Sequence, residues 1–184
     1  MPETFVLFGL NALPQSRPGS AVVYGPGQPS MKRSADDQET FQAIRKHLRH
    51  GEYSRKPLQL RHCEVMLDAA ECEWFMRPPD PWDIHLPPRV RQGHTTIQAL
   101  LDALKMRELI FRAFPRVQSA ELRMYREWEV EEPALMMTGS VQRETEVSPR
   151  IVSLVMQARL FGFRFSLEGG VLEKMPDEMP VSCS

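Results

Sequence analysis

The stretch that decides the fold is Ser148–Met175, SPRIVSLVMQARLFGFRFSLEGGVLEKM. Ser148 and Pro149 supply an N-cap and a first helical residue, and Ile151, Val152, Val155, Ala158 and Leu160 give the helix an apolar face. Gly162 stops it. Phe163, Phe165 and Leu167 then alternate with Arg164, Ser166 and Glu168, the period of a half-buried strand. Gly169-Gly170 offers the positive φ angles of a two-residue hairpin turn, after which Val171 to Met175 returns.

Working backwards, Thr95 or Thr96 caps the strongest helix, carried by Ile97, Leu100, Leu101, Leu104, Ile110, Phe111 and Phe114 and ended by Pro115. Glu121 to Val130 alternates as a strand, with Leu122, Met124, Trp128 and Val130 on one face. Glu131-Glu132-Pro133 turns the chain and Ala134 to Gln142 pairs back. From Thr95 the order is therefore helix, strand, strand, helix, strand, strand. That order implies an α+β domain, antiparallel hairpins packed against two or three helices, and not an alternating parallel sheet.

Upstream, Pro78, Pro79, Pro81, Pro87 and Pro88 remove donors and fix φ, so 77–93 reads as an irregular surface excursion. Leu58 to Phe75 reads as a strand and a turn followed by a second strand or a short helix. Ser34 caps an earlier helix with Asp36 and Asp37 in its first turn, Phe41, Ile44 and Leu48 on one face, and Gly51 at its end. The organisation expected is a flexible Pro/Gly-rich arm over 1–34, one domain over 35–175, and a polar tail over 176–184.

The 184 residues suffice for a core without metal or disulfides, and 42% hydrophobic with 26% charged residues is the balance of a globular protein. Cys63, Cys72 and Cys183 match neither a zinc pattern nor a disulfide framework, which points to a reducing compartment. Met1 to Leu13 carries Glu3 and no basic n-region, and no apolar run is long enough to span a bilayer. A cytoplasmic location is therefore expected.

The net charge of −1 argues against a surface that is basic all over, but not against a local basic face. Arg45, Lys46, Arg49, Arg55, Lys56 and Arg61, with His47, His50, His62 and Tyr53 interleaved, form such a segment. It suits contact with phosphates of a nucleoprotein, a nucleic acid or an anionic membrane surface. Glu121, Glu127, Glu129, Glu131 and Glu132 form an acidic counterpart, and two opposite faces on one domain would allow self-association head to tail. His47 and His50 lack a convergent third ligand, so no metal or cofactor is expected. Trp74, Trp82 and Trp128 lie too far apart in sequence to suggest a base-stacking platform. No phosphate loop, nucleophile elbow or dinucleotide fingerprint is present, and no small-molecule substrate is implied.

In order of elements, Val152 to Met175 resembles the carboxy-terminal part of rhabdovirus matrix proteins. Those run a helix into a Leu-Phe-Gly or Met-Phe-Gly junction, a strand, a small-residue turn and a final strand. Here the junction is Leu160, Phe161 and Gly162, and the turn is Gly169-Gly170. The resemblance implies a viral structural protein of host cytoplasm and virion that self-associates and contacts nucleoprotein. The chain departs from that family in lacking a lysine-rich N-terminus and a Pro-Pro-x-Tyr motif. Two other readings remain open. One is a nucleic-acid-binding accessory protein of a bacterial mobile element or phage. The other is an enzyme assembled from dispersed residues such as Asp68, Glu71, His85 and His94.

Overall fold

Alternating burial builds the central sheet. In β3 (Ser119–Arg126) Ala120, Leu122 and Met124 are buried, while Glu121 and Arg123 face the other way. The same alternation in β2 (Ala69–Phe75) buries Ala70, Cys72 and Trp74. The computed structural model describes residues 42, 44, 46–127 and 132–176, all within the compact unit Arg33–Ser184. The expected arm over 1–34 and most of the tail over 176–184 lie outside the described residues, as do Ser34, Phe41, Trp128 and Val130.

The sheet has five strands in the order β1-β2-β3-β4-β5, with β1 at Gln59–Val65, β4 at Ala134–Gln142 and β5 at Phe163–Arg164. The ambiguous 58–75 stretch is thus two strands, joined as an antiparallel hairpin. A register shift between Met124 and Tyr125 skips Met136, so Met136 and Met137 are both buried. Helix α1 (Pro88–Ala113) covers one face with Leu100, Met106 and Ile110. Helix α2 (Leu154–Leu160) packs beside α1. A second, two-stranded sheet pairs β6 (Ser166–Glu168) with β7 (Val171–Glu173). The α+β class holds.

Four details correct the sequence reading. First, β2 and β3 are parallel, because the long connection through α1 gives the chain room for a crossover, so not every strand pair is an antiparallel hairpin. Second, α1 starts at Pro88 and not at Thr95. A proline at the first helical position gives up a donor that has no partner there anyway, so the prolines at 87–88 start the helix. Thr95 instead donates back to the Arg91 carbonyl (3.0 Å), and Thr96 accepts the Leu172 N–H (3.0 Å).

Third, the last helix is capped by Ser153 and not by Ser148, whose carbonyl closes only a turn to Ile151 N–H (3.0 Å). Its apolar residues do not share a buried face: Ala158 is buried, while Val152, Met156 and Leu160 are 88%, 54% and 49% exposed. Beyond Gly162 the expected single strand divides at Phe165 between two sheets, and Gly169-Gly170 turns it as expected, at φ 57° and 87°.

Fourth, Cys63 and Cys72 face each other across the β1–β2 hairpin with Cα atoms 4.1 Å apart, and their sulfurs are bonded. This overturns the expectation of unpaired thiols, and with it the cysteine argument for a reducing compartment. Register sets this pairing, which spacing alone does not reveal. Closing so short a loop contributes about 2–3 kcal/mol in the chain-entropy picture. Urea unfolding with and without reductant should show that loss, and the same loss should appear in Cys63→Ser/Cys72→Ser. An unchanged midpoint would mean that the bond adds nothing to stability.

Candidate anion-contacting surface

Residues 46–58 make little regular structure of their own, and a buried arginine holds them. Arg77 lies just beyond β2, and its side chain is only 1% exposed. Its Nε and Nη2 donate to the Asp102 carboxylate on α1 at 2.8 and 3.1 Å. Nη2 also donates to the Leu48 carbonyl (2.7 Å), and Nη1 donates to the Lys56 carbonyl. Gln98 completes the cluster by donating to Asp102 (3.0 Å) and accepting the Tyr53 N–H (2.6 Å). Burial pushes the Asp102 carboxyl up, and the Arg77 and Gln98 donors oppose that shift.

Further bonds draw three segments into one surface. Ser54 Oγ donates to the Pro78 carbonyl (3.2 Å) and Arg55 N–H to Asp80 Oδ2 (3.2 Å). Asp80 caps the 3₁₀ turn Pro81–His85 by accepting Trp82 N–H (3.1 Å). Those two N–H groups, Trp82's the stronger, hold its carboxyl below the usual range. On α1, His94 meets Asp83 (3.1 Å) and lies against the Tyr53 ring, with centroids 5.3 Å apart. Loop 53–56, turn 80–85 and the first turns of α1 therefore converge.

Of the six basic residues singled out from sequence, Lys46, Arg49, Arg55 and Lys56 are exposed around this framework. Arg45 lies outside the described residues. Arg61 stands apart on the open sheet face, 3.7 Å from Glu73 and stacked over the Tyr125 ring at 4.7 Å. Arg89 and Arg91, from the first turns of α1, bring further cations to the same end of the helix. An open cleft of about 240 Å³ lies beside the cluster, walled by His47, His50 and Lys105 over Arg77, Gln98 and Asp102.

Glu127 and Glu132 are exposed where β3 leaves the sheet and β4 approaches it, while Glu129 and Glu131 lie outside the described residues. Gln59, Phe75, Tyr125 and Leu135 are in register across the sheet. The acidic pair therefore sits at the same sheet end as the start of β1, into which the loop carrying Arg55 and Lys56 leads. Asp68, Glu71, His85 and His94 are not brought together. Asp68 accepts from Gln118 beyond the C-terminal end of α1, and Glu71 pairs with Arg123 on the open sheet face. His94 lies near the N-terminus of α1, roughly 25 Å away along the helix.

Sequence reasoning missed Arg77, Asp102 and the exposed Trp82 and Ile84. Asp80-Pro81, a cap residue and then a first-turn proline, was the available signal for the turn that carries the last two. Comparison with known proteins returns no matching family model, no matching curated protein and no matching solved structure.

Proposed function

We propose that this protein is a non-enzymatic interaction protein that self-associates and contacts a nucleoprotein or other polyanionic surface, a matrix-like role. The observation that carries the reading is the set of exposed cations Lys46, Arg49, Arg55 and Lys56 on a segment tied down by the buried Arg77. A pre-ordered basic loop loses less entropy on meeting phosphates than a free one. Self-association draws support from the exposed Val152, Met156 and Leu160, apolar side chains at helical spacing along α2 and its lead-in. It also draws support from charge. With Glu127 and Glu132 at the sheet end from which the basic loop enters β1, a two-fold contact could set each copy's basic loop against the other's acidic corner.

Light scattering coupled to size exclusion, run over a range of protein and salt concentrations with and without an oligonucleotide, tests this. Mass should grow with protein concentration and fall as salt rises. Oligonucleotide should bind at low salt, and Arg55→Ala/Lys56→Ala should weaken that binding. A monomer indifferent to concentration and to polyanion overturns the reading. A steady monomer that responds only to oligonucleotide favours the accessory-protein alternative.

A further inference from the structure

Trp82 is 77% exposed and Ile84 66% exposed, both on a 3₁₀ turn that buries no residue. A turn this exposed would ordinarily let a tryptophan fold back onto the protein. Here the backbone beneath it is held. Asp80 caps the turn, Leu86 N–H closes it onto the Asp83 carbonyl (2.9 Å), and prolines at 78, 79, 81, 87 and 88 stiffen both flanks. With three residues per turn, neighbouring side chains diverge. Asp83 is drawn back to His94, which leaves Trp82 and Ile84 standing free of it.

Beside this knob stands a cationic loop from another segment. The Arg55 backbone N–H bonds to Asp80 and so brings the exposed Arg55 and Lys56 to the turn, whereas the Arg89 guanidinium lies against the Gly169 turn of the second sheet. An exposed aromatic face beside side chains that neutralise phosphates is the arrangement by which proteins hold unpaired nucleotides. We propose that the surface formed by Trp82, Ile84, Arg55 and Lys56 binds single-stranded nucleic acid, with a base stacked on the Trp82 indole and the phosphates on the cations. Sequence spacing among three tryptophans argued against a platform, but one exposed ring beside cations makes one.

A duplex fits less well, because its bases are already stacked on each other and offer no free face to the indole. A bilayer also fits less well. Inserting the turn would draw Asp80 and Asp83 out of water with the ring, whereas a stacked base covers only the ring and leaves both carboxylates solvated. The proposal rests on the polyanion-contact reading above and names its partner.

The test titrates the full-length chain into labelled oligothymidylate and oligouridylate at several salt concentrations, beside a duplex of equal length and vesicles containing phosphatidylserine. Both Trp82 and Ile84 lie at the surface, so their replacement leaves the core intact. Trp82→Ala should weaken single-strand binding roughly 5- to 100-fold, without changing the salt slope. Trp82→Phe should restore part of the affinity. Arg55→Ala/Lys56→Ala should reduce the logarithmic salt slope by about 1.4.

If Trp82→Ala binds like the parent while the double variant is weakened, stacking is overturned and the polyanion reading stands. Duplex bound as tightly as single strand also overturns the proposal. So does vesicle binding that depends on Trp82 while oligonucleotide binding does not, which would make the turn a bilayer anchor. No binding of any oligonucleotide at low salt overturns both readings.

Discussion

Replacing Arg77 by methionine should lower the unfolding free energy by about 3–5 kcal/mol at neutral pH, because it removes one partner of a buried ion pair and leaves the other. Asp102 is only 4% exposed, and in the same step the Lys56 carbonyl would lose the Arg77 donor and the Leu48 carbonyl would keep only the Leu58 N–H (3.2 Å). The pH dependence gives this a signature. Burial already raises the Asp102 carboxyl, and Arg77 is what opposes that shift. Without Arg77 the folded-state pKa rises further above its unfolded value. A raised carboxyl binds its proton more tightly in the folded chain, so its stabilising contribution is full at acid pH and is lost as pH rises through the folded pKa. Urea titrations should therefore show Arg77→Met least below the parent in mild acid, where only the lost carbonyl bonds count, and furthest below it near neutrality.

Arg77→Met/Asp102→Leu should recover part of the loss by removing the stranded carboxylate. It should not restore the hold on 46–58, where amide exchange should remain fast. A loss under about 1 kcal/mol, flat with pH, would mean that water takes the place of the guanidinium. This pair also links stability to the proposed anion contact, since the bonds that Arg77 gives to the Leu48 and Lys56 carbonyls hold the loop carrying Arg49, Arg55 and Lys56.

Local periodicity made most of the fold legible. Ala134–Gln142 reads as a strand with the bounds it has, and the turn at Gly169-Gly170 and the stop at Gly162 come from residue chemistry alone. The failures share a cause. Pro87 and Pro88 fit either a helix start or a loop, and only packing in three dimensions decides between them. Val152 and Leu160 look like core residues by spacing, but the cap at Ser153 leaves Val152 before the helix, and Leu160, the last residue of α2, is half exposed. The Cys63–Cys72 contact and the Arg77–Asp102 pair depend on register and on long-range packing, which no local pattern carries. The basic loop was visible as a charge run, yet the sequence joined Arg61 to it, and the register shift after Leu60 puts that side chain on the sheet. The exposed Trp82 was hidden because an aromatic among prolines says nothing of which way it points.

Gly162→Ala should destabilise the fold by about 2–5 kcal/mol, and a second glycine shows why the conformational term alone does not account for this. Gly162 has φ 99°, and a Cβ there would lie 2.5 Å from the Ser140 carbonyl oxygen, a backbone atom of β4. An L-residue in that region costs about 1–2 kcal/mol from its own backbone. Displacing a strand to relieve the clash adds roughly 1–3 kcal/mol. Gly170 has a similar φ of 87° but open space where its Cβ would go, so Gly170→Ala should show the first cost without the second. The two variants, compared in one urea series, separate strain from collision.

The collision has a structural consequence. Gly162 delivers Phe163 against Gly139, its partner in β4, where an added Cβ would lie 2.5 Å from the Phe163 ring. Pushing Ser140 away therefore loosens the β4–β5 edge first, and amide exchange in Thr138–Ser140 should rise before that in β2 or β3. Equal losses for Gly162→Ala and Gly170→Ala would instead show that the Ser140 carbonyl gives way at no cost, and that the junction between α2 and the sheet is softer than its contacts imply.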